Sequence, residues 1–252
     1  MKPGTIASLL SAGFLAGVST LAVFSTSMPA QQEKAKAKED TLTPKGPTPR
    51  MPDGKVDFSG VITPGTQFGT MGQPPLQDWA QKIYAERRAT LSKDDPEGYC
   101  LPAGVPRISP FPYKIVQTPK LLVILDEGNV HSYRQIFLDG RGHRTDPNRD
   151  PLWMGHSIGM WDGDAIVVDT NDFNDKTWLN GQGVPHSDAL HVIERMTRPD
   201  LGHIEIDITI EDANAFTKPH TFKRTHLYRP TWELEEYVCN EFNVDKDHLV
   251  GK

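Results

Sequence analysis

The sequence predicts a mainly β fold: an antiparallel β-barrel or two-sheet sandwich of about nine strands, with one packed amphipathic helix. Short runs rich in β-branched and aromatic residues alternate with turn residues along most of the chain. The clearest run is 203–211, where four isoleucines alternate with polar residues, as in a strand with one buried face. A barrel or sandwich would leave such strands few exposed edges.

The predicted strands lie close enough in sequence to pair with their neighbours. Asp139-Gly140, Asp162-Gly163 and Asp200-Leu201-Gly202 are turn sequences that favour hairpins. The predicted strands are Tyr113–Thr118, Leu121–Asp126, Asn129–Leu138, His156–Trp161, Ala165–Thr170, Ala189–Arg198, His203–Glu211, His220–Tyr228 and Trp232–Cys239.

One helix is predicted over Leu76–Leu91. Its apolar residues recur at the three- and four-residue spacing of an amphipathic helix. Long connections at 139–155, 171–188 and 212–219 interrupt the strands, and loops of that length often carry function.

The amino terminus is typical of a secretory signal. Lys2 precedes an apolar or small-residue run over 6–24, and small residues suited to cleavage follow. An uncleaved membrane anchor is the alternative, because about 20 residues suffice to cross a bilayer. We therefore expect a signal peptide at 1–30, a disordered linker at 31–56, a single β-rich domain at 57–252, and a secreted or periplasmic location.

The charge balance of the domain is acidic. With the leader and linker set aside, 20 basic residues remain against 29 acidic ones. Such a surface repels nucleic acid and anionic membranes, so we expect neither as a partner, and no stable membrane insertion after signal cleavage. The sequence does not fix the oligomeric state and indicates no particular cofactor.

The chain contains two cysteines, Cys100 and Cys239. In an exported protein an isolated pair favours one disulfide bond. Two separate buried thiols, or one reactive thiol, are the alternatives.

Histidine and acidic residues concentrate around 171–194. His186 paired with Asp175 or Glu194 is the candidate catalytic couple, because a carboxylate can orient a histidine that acts as general base. Strand alternation places Glu194 on an inward, apolar face, where it needs a partner such as Arg107, Arg134 or His186. A buried structural ion pair is the alternative interpretation.

Two further sites are possible. His186, His191 and Glu194 are candidate metal ligands by residue type, although their spacing fits no standard motif. Aromatic and basic residues near the long loops predict a small-molecule pocket, because such pockets combine apolar walls with few polar groups. The candidate ligand-binding residues are Trp153, Trp178, Phe173, Arg107 and Arg134.

Several phrases together resemble a large group of secreted bacterial proteins of unknown function. They include PDGKVDFSG at 52–60, CLPAGVPR at 100–107, WMGHSIGMWDGD at 153–164, FNDKTWL at 173–179, PHSDALH at 185–191 and EYVCNE at 236–241. The resemblance implies export and one shared domain, and assigns no catalytic residue. The strand pattern is also similar to lipocalin-like barrels, a likeness of fold alone.

These observations predict an exported protein that binds a small, partly apolar molecule in a loop-covered cavity. One alternative is a lyase, isomerase or hydrolase that uses the His186 couple in the same cavity. The other is an envelope interaction protein without a cavity.

Overall fold

Nine strands close into a barrel in the computed structural model of the chain, which describes residues 42–65, 71–107, 111–128, 130, 132–239 and 241. Each strand pairs with the next along the chain, and β1 pairs with β9 to complete the ring. The strands are β1 Gly60–Pro64, β2 Tyr113–Gln117, β3 Leu121–Asp126, β4 Tyr133–Phe137, β5 His156–Asp162, β6 Ala165–Asn171, β7 His191–Thr197, β8 His203–Glu211 and β9 His220–Tyr228.

Strand alternation builds the core inside the barrel. In β8 the four isoleucines are buried while the residues between them are partly exposed. The register pairs Ile204 with His226 and Ile206 with Arg224, so these polar residues of β9 share the inner face. The interior is therefore apolar at one strand and polar at its neighbour.

Two features of the predicted strand order are corrected. Trp232–Cys239 is not a strand, and Gly60–Pro64 supplies the ninth strand instead. Because β1 occupies both the edge of β2 and the edge of β9, no open edge remains to pair with the C-terminal segment.

The second correction concerns strand direction, because β4 and β5 are parallel whereas the other eight neighbouring pairs are antiparallel. Parallel neighbours need a long crossover, and the connection 138–155 supplies it. Asp139-Gly140 thus begins this crossover rather than a hairpin, whereas Asp162-Gly163 turns β5 into β6 as predicted.

The predicted helix is confirmed as α1, Asp78–Ala89. Ala80 packs into the hydrophobic core, and two side chains of the helix donate hydrogen bonds to loops. Trp79 donates to the carbonyl of Asn214 at 2.7 Å, and Arg87 donates to the carbonyl of Gly183 at 3.1 Å. The predicted helix extends to Leu91, but the observed helix ends at Ala89. Leu91 follows it with a positive φ of 52°.

The segment before β1 is more ordered than predicted. The signal peptide and residues 31–41 of the predicted linker lie outside the described residues. Residues 42–56 lie on the barrel: Val56 is fully buried, and Arg50 forms an ion pair with Asp164 at 2.7 Å. The predicted linker, disordered or extended, thus contacts the barrel over part of its length, within 42–56.

The predicted disulfide is confirmed between Cys100 and Cys239, whose Cα atoms are 5.8 Å apart. It fastens the segment after β9 to the turn that follows a short 3₁₀ helix, Pro96–Tyr99. Within the described ranges, no helix combines the length and apolar character that a membrane crossing requires.

Candidate functional site

The barrel interior holds a charged pair, Arg134 of β4 and Glu194 of β7. Arg134 also donates to the hydroxyls of Ser157 and Thr170, at 3.0 and 2.8 Å, so four neighbouring strands contribute to one network. Both charged side chains are more than 90% buried. The inward position predicted for Glu194 is confirmed, with Arg134 as its partner.

A cavity of about 60 Å³ lies beside this pair, and we call it the core cavity. Its walls are apolar on one side and carry charged groups on the other. It is lined by Ala103, Gly104, Val105, Pro106, Arg107, Tyr113, Ile124, Asp126, Ser132, Arg134, Met154, Glu194, Met196 and Ile206. Its volume is about that of two waters in the liquid.

Titratable groups in and near the core cavity are strongly perturbed by burial. Burial raises the pKa of Asp126 to about 6, although a hydrogen bond from Ser132 and the charge of Arg134 oppose the rise. Burial lowers the pKa of His226 to about 3, so this imidazole is neutral at pH 7. The Nδ1 atom of His226 shares a 2.8 Å hydrogen bond with the hydroxyl of Tyr113, whose pKa burial raises well above 10.

A third arginine lies behind the residues that line the core cavity. Arg224 of β9 is 2% exposed and donates through Nη1 to the carbonyl of Pro106. Its Nε and Nη2 atoms, like Nε2 of His226, have no hydrogen-bond partner within the described part of the chain. Burial lowers the pKa of Arg224 to about 10, so it is still charged at neutral pH.

A larger opening of about 680 Å³ lies beneath the connection 138–155, and we call it the loop cleft. Aromatic and basic side chains dominate its walls. It is lined by Pro102, Val130, Ser132, Tyr133, Arg134, Gln135, Phe137, Arg141, Arg144, Leu152, Trp153, Met154, Gly155, His156 and Ser157. Ser132, Arg134 and Met154 line both the loop cleft and the core cavity, so these side chains form a wall common to the two spaces.

The five predicted ligand-binding residues do not line one common pocket. Trp153 and Arg134 line the loop cleft, and Arg107 lines the core cavity, where it is paired with Asp95 and Glu97. The other two, Phe173 and Trp178, are buried, and Trp178 lies under the guanidinium of Arg87 at 4.4 Å.

The predicted catalytic couple is not assembled. His186 is 4% exposed, and its Nδ1 donates to the carbonyl of Ser187 at 2.9 Å while its Nε2 accepts from the hydroxyl of Thr177 at 2.8 Å. Glu194 is paired with Arg134 instead, and Asp175 is exposed. Burial lowers the pKa of His186, so the ring is a neutral support for its loop.

The candidate metal ligands point to different places. His191 lies on the outer wall of β7, and Glu194 on the inner one, while His186 is within the loop before that strand. Across the residues the structure describes, no three histidine, cysteine or carboxylate side chains are arranged to hold a metal ion.

The sequence analysis did not predict a hydrogen-bonded series of histidines and carboxylates on the outer wall of the barrel. Asp169 accepts from His143 and His191, each at 2.9 Å, and His191 also bonds to Glu211 at 3.1 Å. The other ring nitrogen of His143 lies 3.0 Å from His156. This histidine chain ties the crossover 138–155, which roofs the loop cleft, to β6 and β7.

Comparison with known proteins gave a uniformly negative result. No family model, curated protein or solved structure matches this chain. The resemblance to a group of secreted bacterial proteins therefore stays a prediction, and the candidate site rests on its own geometry.

Arg224 and His226 are the interior polar residues that sequence reasoning missed. The signal was available in the run His220–Tyr228, where Phe222, Arg224 and His226 alternate with exposed residues. Pairing that run with the isoleucine strand beside it predicts that these side chains face the core.

Proposed function

We propose that this is an exported protein whose barrel binds a small, partly apolar molecule in the loop cleft. The observation that carries the proposal is the roomy, partly aromatic loop cleft, which shares the wall residues Ser132, Arg134 and Met154 with a polar cavity inside the barrel. Small-molecule sites combine apolar walls with a few convergent polar groups in this way, at volumes above about 300 Å³.

The walls of the loop cleft favour an aromatic or alicyclic ligand. Trp153 offers a ring surface, and Leu152 and Met154 add apolar contacts. Arg141 stacks on Phe137 with its guanidinium 3.9 Å from the ring centre and is paired with Asp139. A flat apolar molecule can therefore lie against Trp153, with its polar end toward Arg134.

The geometry gives less support to the two alternatives. His186 is buried and bonds to Thr177 and Ser187 rather than to Asp175 or Glu194, so the predicted couple is not formed. The loop cleft, at about 680 Å³, lies within the volume range of small-molecule sites, which favours a binding cavity over an interaction protein without one. Export is supported by the leader sequence together with the intramolecular disulfide.

The test uses 2-naphthamide, a neutral bicyclic probe, in calorimetric titrations of the full chain. We expect saturable binding to the wild type and about fivefold weaker binding to Trp153→Ala, because an aromatic contact contributes about 1 kcal/mol. Trp232→Ala is the matched control, since Trp232 is exposed outside the loop cleft and its loss leaves the affinity unchanged. Absent binding, or equal binding by Trp153→Ala, contradicts the proposal.

A further inference from the structure

His156 of β5 lines the loop cleft and is also the last member of the histidine chain on the outer wall. Its Nδ1 atom lies 3.0 Å from Nδ1 of His143, and its ring stacks on Phe137 with the ring centres 5.5 Å apart. These contacts occupy one edge and one face of the imidazole. Nε2, at the other side of the ring, takes part in neither contact.

Nε2 of His156 is a nitrogen that a ligand can reach. No described residue forms a hydrogen bond with it, yet it is not sealed inside the protein, whereas Nε2 of His226 is both unpartnered and sealed. The open space that the His156 side chain lines is the loop cleft. Nε2 of His156 is therefore available to a molecule bound in that cleft.

The hydrogen bonds behind His156 determine which of its nitrogens carries a proton. Asp169 is a carboxylate and can only accept, so Nε2 of His143, 2.9 Å away, carries a proton. A neutral imidazole has one N–H, and Nδ1 of His143 is therefore an acceptor. It accepts from Nδ1 of His156, which leaves a lone pair on Nε2 of His156.

The surroundings of His156 favour its neutral form. Burial lowers the pKa of His156 most, and positive charge on His143, Arg144 and Arg141 lowers it further, against the opposing charge of Asp172. At pH 8, well above the ordinary imidazole pKa of about 6.5, Nε2 thus presents a lone pair and no proton.

The guanidinium groups of the loop cleft have the opposite hydrogen-bonding character. Arg134, Arg141 and Arg144 line the same walls, and a guanidinium has donors only. A hydroxyl group suits both kinds of neighbour, because it donates through its proton and accepts through its oxygen. A carboxylate or an ether lacks the proton that Nε2 of His156 can accept.

We propose that the ligand of the loop cleft is a hydroxylated aromatic molecule whose O–H group donates to Nε2 of His156. This rests on the proposed function and adds the chemical class of the ligand. Asp169 and His143 are positioning residues, since they fix the tautomer of His156 without contacting the ligand. A site that hydrogen-bonds a ligand hydroxyl discriminates against an analogue that lacks it.

The first test determines the tautomer of His156. Nitrogen-15 NMR of the imidazole rings at pH 8 distinguishes a protonated ring nitrogen from an unprotonated one. We expect the proton of His156 on Nδ1 in the wild type. His143→Phe keeps a ring at that position but removes the acceptor, so His156 should lose its fixed tautomer. A proton on Nε2 in the wild type, or an unchanged tautomer in His143→Phe, overturns the assignment.

The second test compares 2-naphthol with 2-fluoronaphthalene, which has a similar shape and cannot donate. The ratio of their dissociation constants is measured calorimetrically at pH 8, and comparing one ratio across proteins cancels the different hydration of the two ligands. We expect His156→Phe to reduce the preference for 2-naphthol about fivefold, which corresponds to one hydrogen bond of about 1 kcal/mol. His203→Phe is the matched control, because His203 begins β8 and does not line the loop cleft, and it should leave the ratio unchanged.

The outcomes separate the two proposals. Binding of both ligands that depends on Trp153, with the same ratio in the wild type and in His156→Phe, overturns the hydroxyl assignment and leaves the loop cleft as the binding site. Absence of binding by both ligands overturns both proposals. The NMR measurement on the wild type needs neither ligand nor variant, so it tests the assignment even where His156→Phe fails to fold.

Discussion

Arg134 of β4 donates directly to the carboxylate of Glu194 of β7 across the inside of the barrel. Ser157 and Thr170, from the two strands between them, bond to the same guanidinium. The pair therefore spans four strands beside the core cavity, and Arg134 also lines the loop cleft. It also places a fixed cation at the base of the proposed binding site.

Removing one partner of this pair should be severe. We expect Glu194→Gln to lower the free energy of unfolding by about 3–5 kcal/mol, because it leaves the buried charge of Arg134 unmatched. Urea unfolding followed by circular dichroism measures the change. Glu205→Gln, which removes an exposed ion pair with Lys223, should cost less than about 1 kcal/mol. Similar losses for the two variants would contradict a structural role for the buried pair.

The disulfide closes a long loop and should contribute strongly to stability. Cys100 and Cys239 are 139 residues apart in sequence, so their bond restricts most of the unfolded chain. We expect the free energy of unfolding of the double variant Cys100→Ser/Cys239→Ser to be about 4–5 kcal/mol lower than that of the wild type. A loss below about 1 kcal/mol in urea titration would show that the link restricts little of the unfolded ensemble.

Gly155 should tolerate no side chain. It has a φ of +66°, and an added Cβ would lie 2.6 Å from the ring of Phe173. Gly140, with a φ of +80°, has open space around it and is the matched control. We expect Gly155→Ala to cost about 1–3 kcal/mol more than Gly140→Ala in thermal or urea unfolding, because only the former overpacks the core. Equal costs would mean that backbone conformation alone accounts for both.

Asp126 should make the protein less stable as the pH rises. Burial raises its pKa to about 6, above the ordinary value of 3.8, so its contribution to stability is complete below that ordinary value and is lost as the pH rises through 6. The free energy of unfolding of Asp126→Asn, taken relative to that of the wild type, should therefore rise by about 1–3 kcal/mol from pH 4 to pH 8. Unfolding free energies at both pH values measure this, and a difference independent of pH would contradict it.

His191 should show a similar dependence at higher pH. Burial lowers its pKa, but hydrogen bonds to Asp169 and Glu211 outweigh burial, and the pKa lies above 6.5. Stability from this residue is then complete below pH 6.5 and is lost as the pH rises through the folded-state pKa. We expect His191→Gln to cost about 0.5 kcal/mol more at pH 5.5 than at pH 8.5. NMR titration of the ring that gives a pKa below 6.5 would be the contrary result.

Much of the barrel could be predicted because its strands have one buried face each. The isoleucines of β8 are the clearest example, and eight of the nine predicted strands are present. β1 was missed because Gly60–Pro64 is short and ends in proline, a residue that strand patterns avoid. Trp232–Cys239 has a strand-like composition, but strand pairing depends on a free neighbouring edge, which local sequence does not show.

Individual residues of the site were easier to predict than the way in which they pair. The loop 139–155, Trp153 and Arg134 were identified because aromatic and basic residues near long loops favour binding. The pairing of Glu194 with Arg134 rather than with His186 follows from strand order and register, which bring β4 and β7 to opposite walls of one small cavity. Arg224 shows the same limit, because the local sequence does not show whether its N–H groups have hydrogen-bond partners in the folded chain.

The most direct test of the central claim is to map the residues that a neutral probe contacts. Amide chemical shifts of the isotope-labelled protein, followed as 2-naphthamide is added, report the contacted residues. We predict saturable changes at Tyr133, Gln135 and the stretch 152–157, which line the loop cleft, and no change at Asp162 or Asp164 elsewhere on the surface. Changes confined to the latter, or none at the cleft, would contradict the assignment of the loop cleft as the binding site.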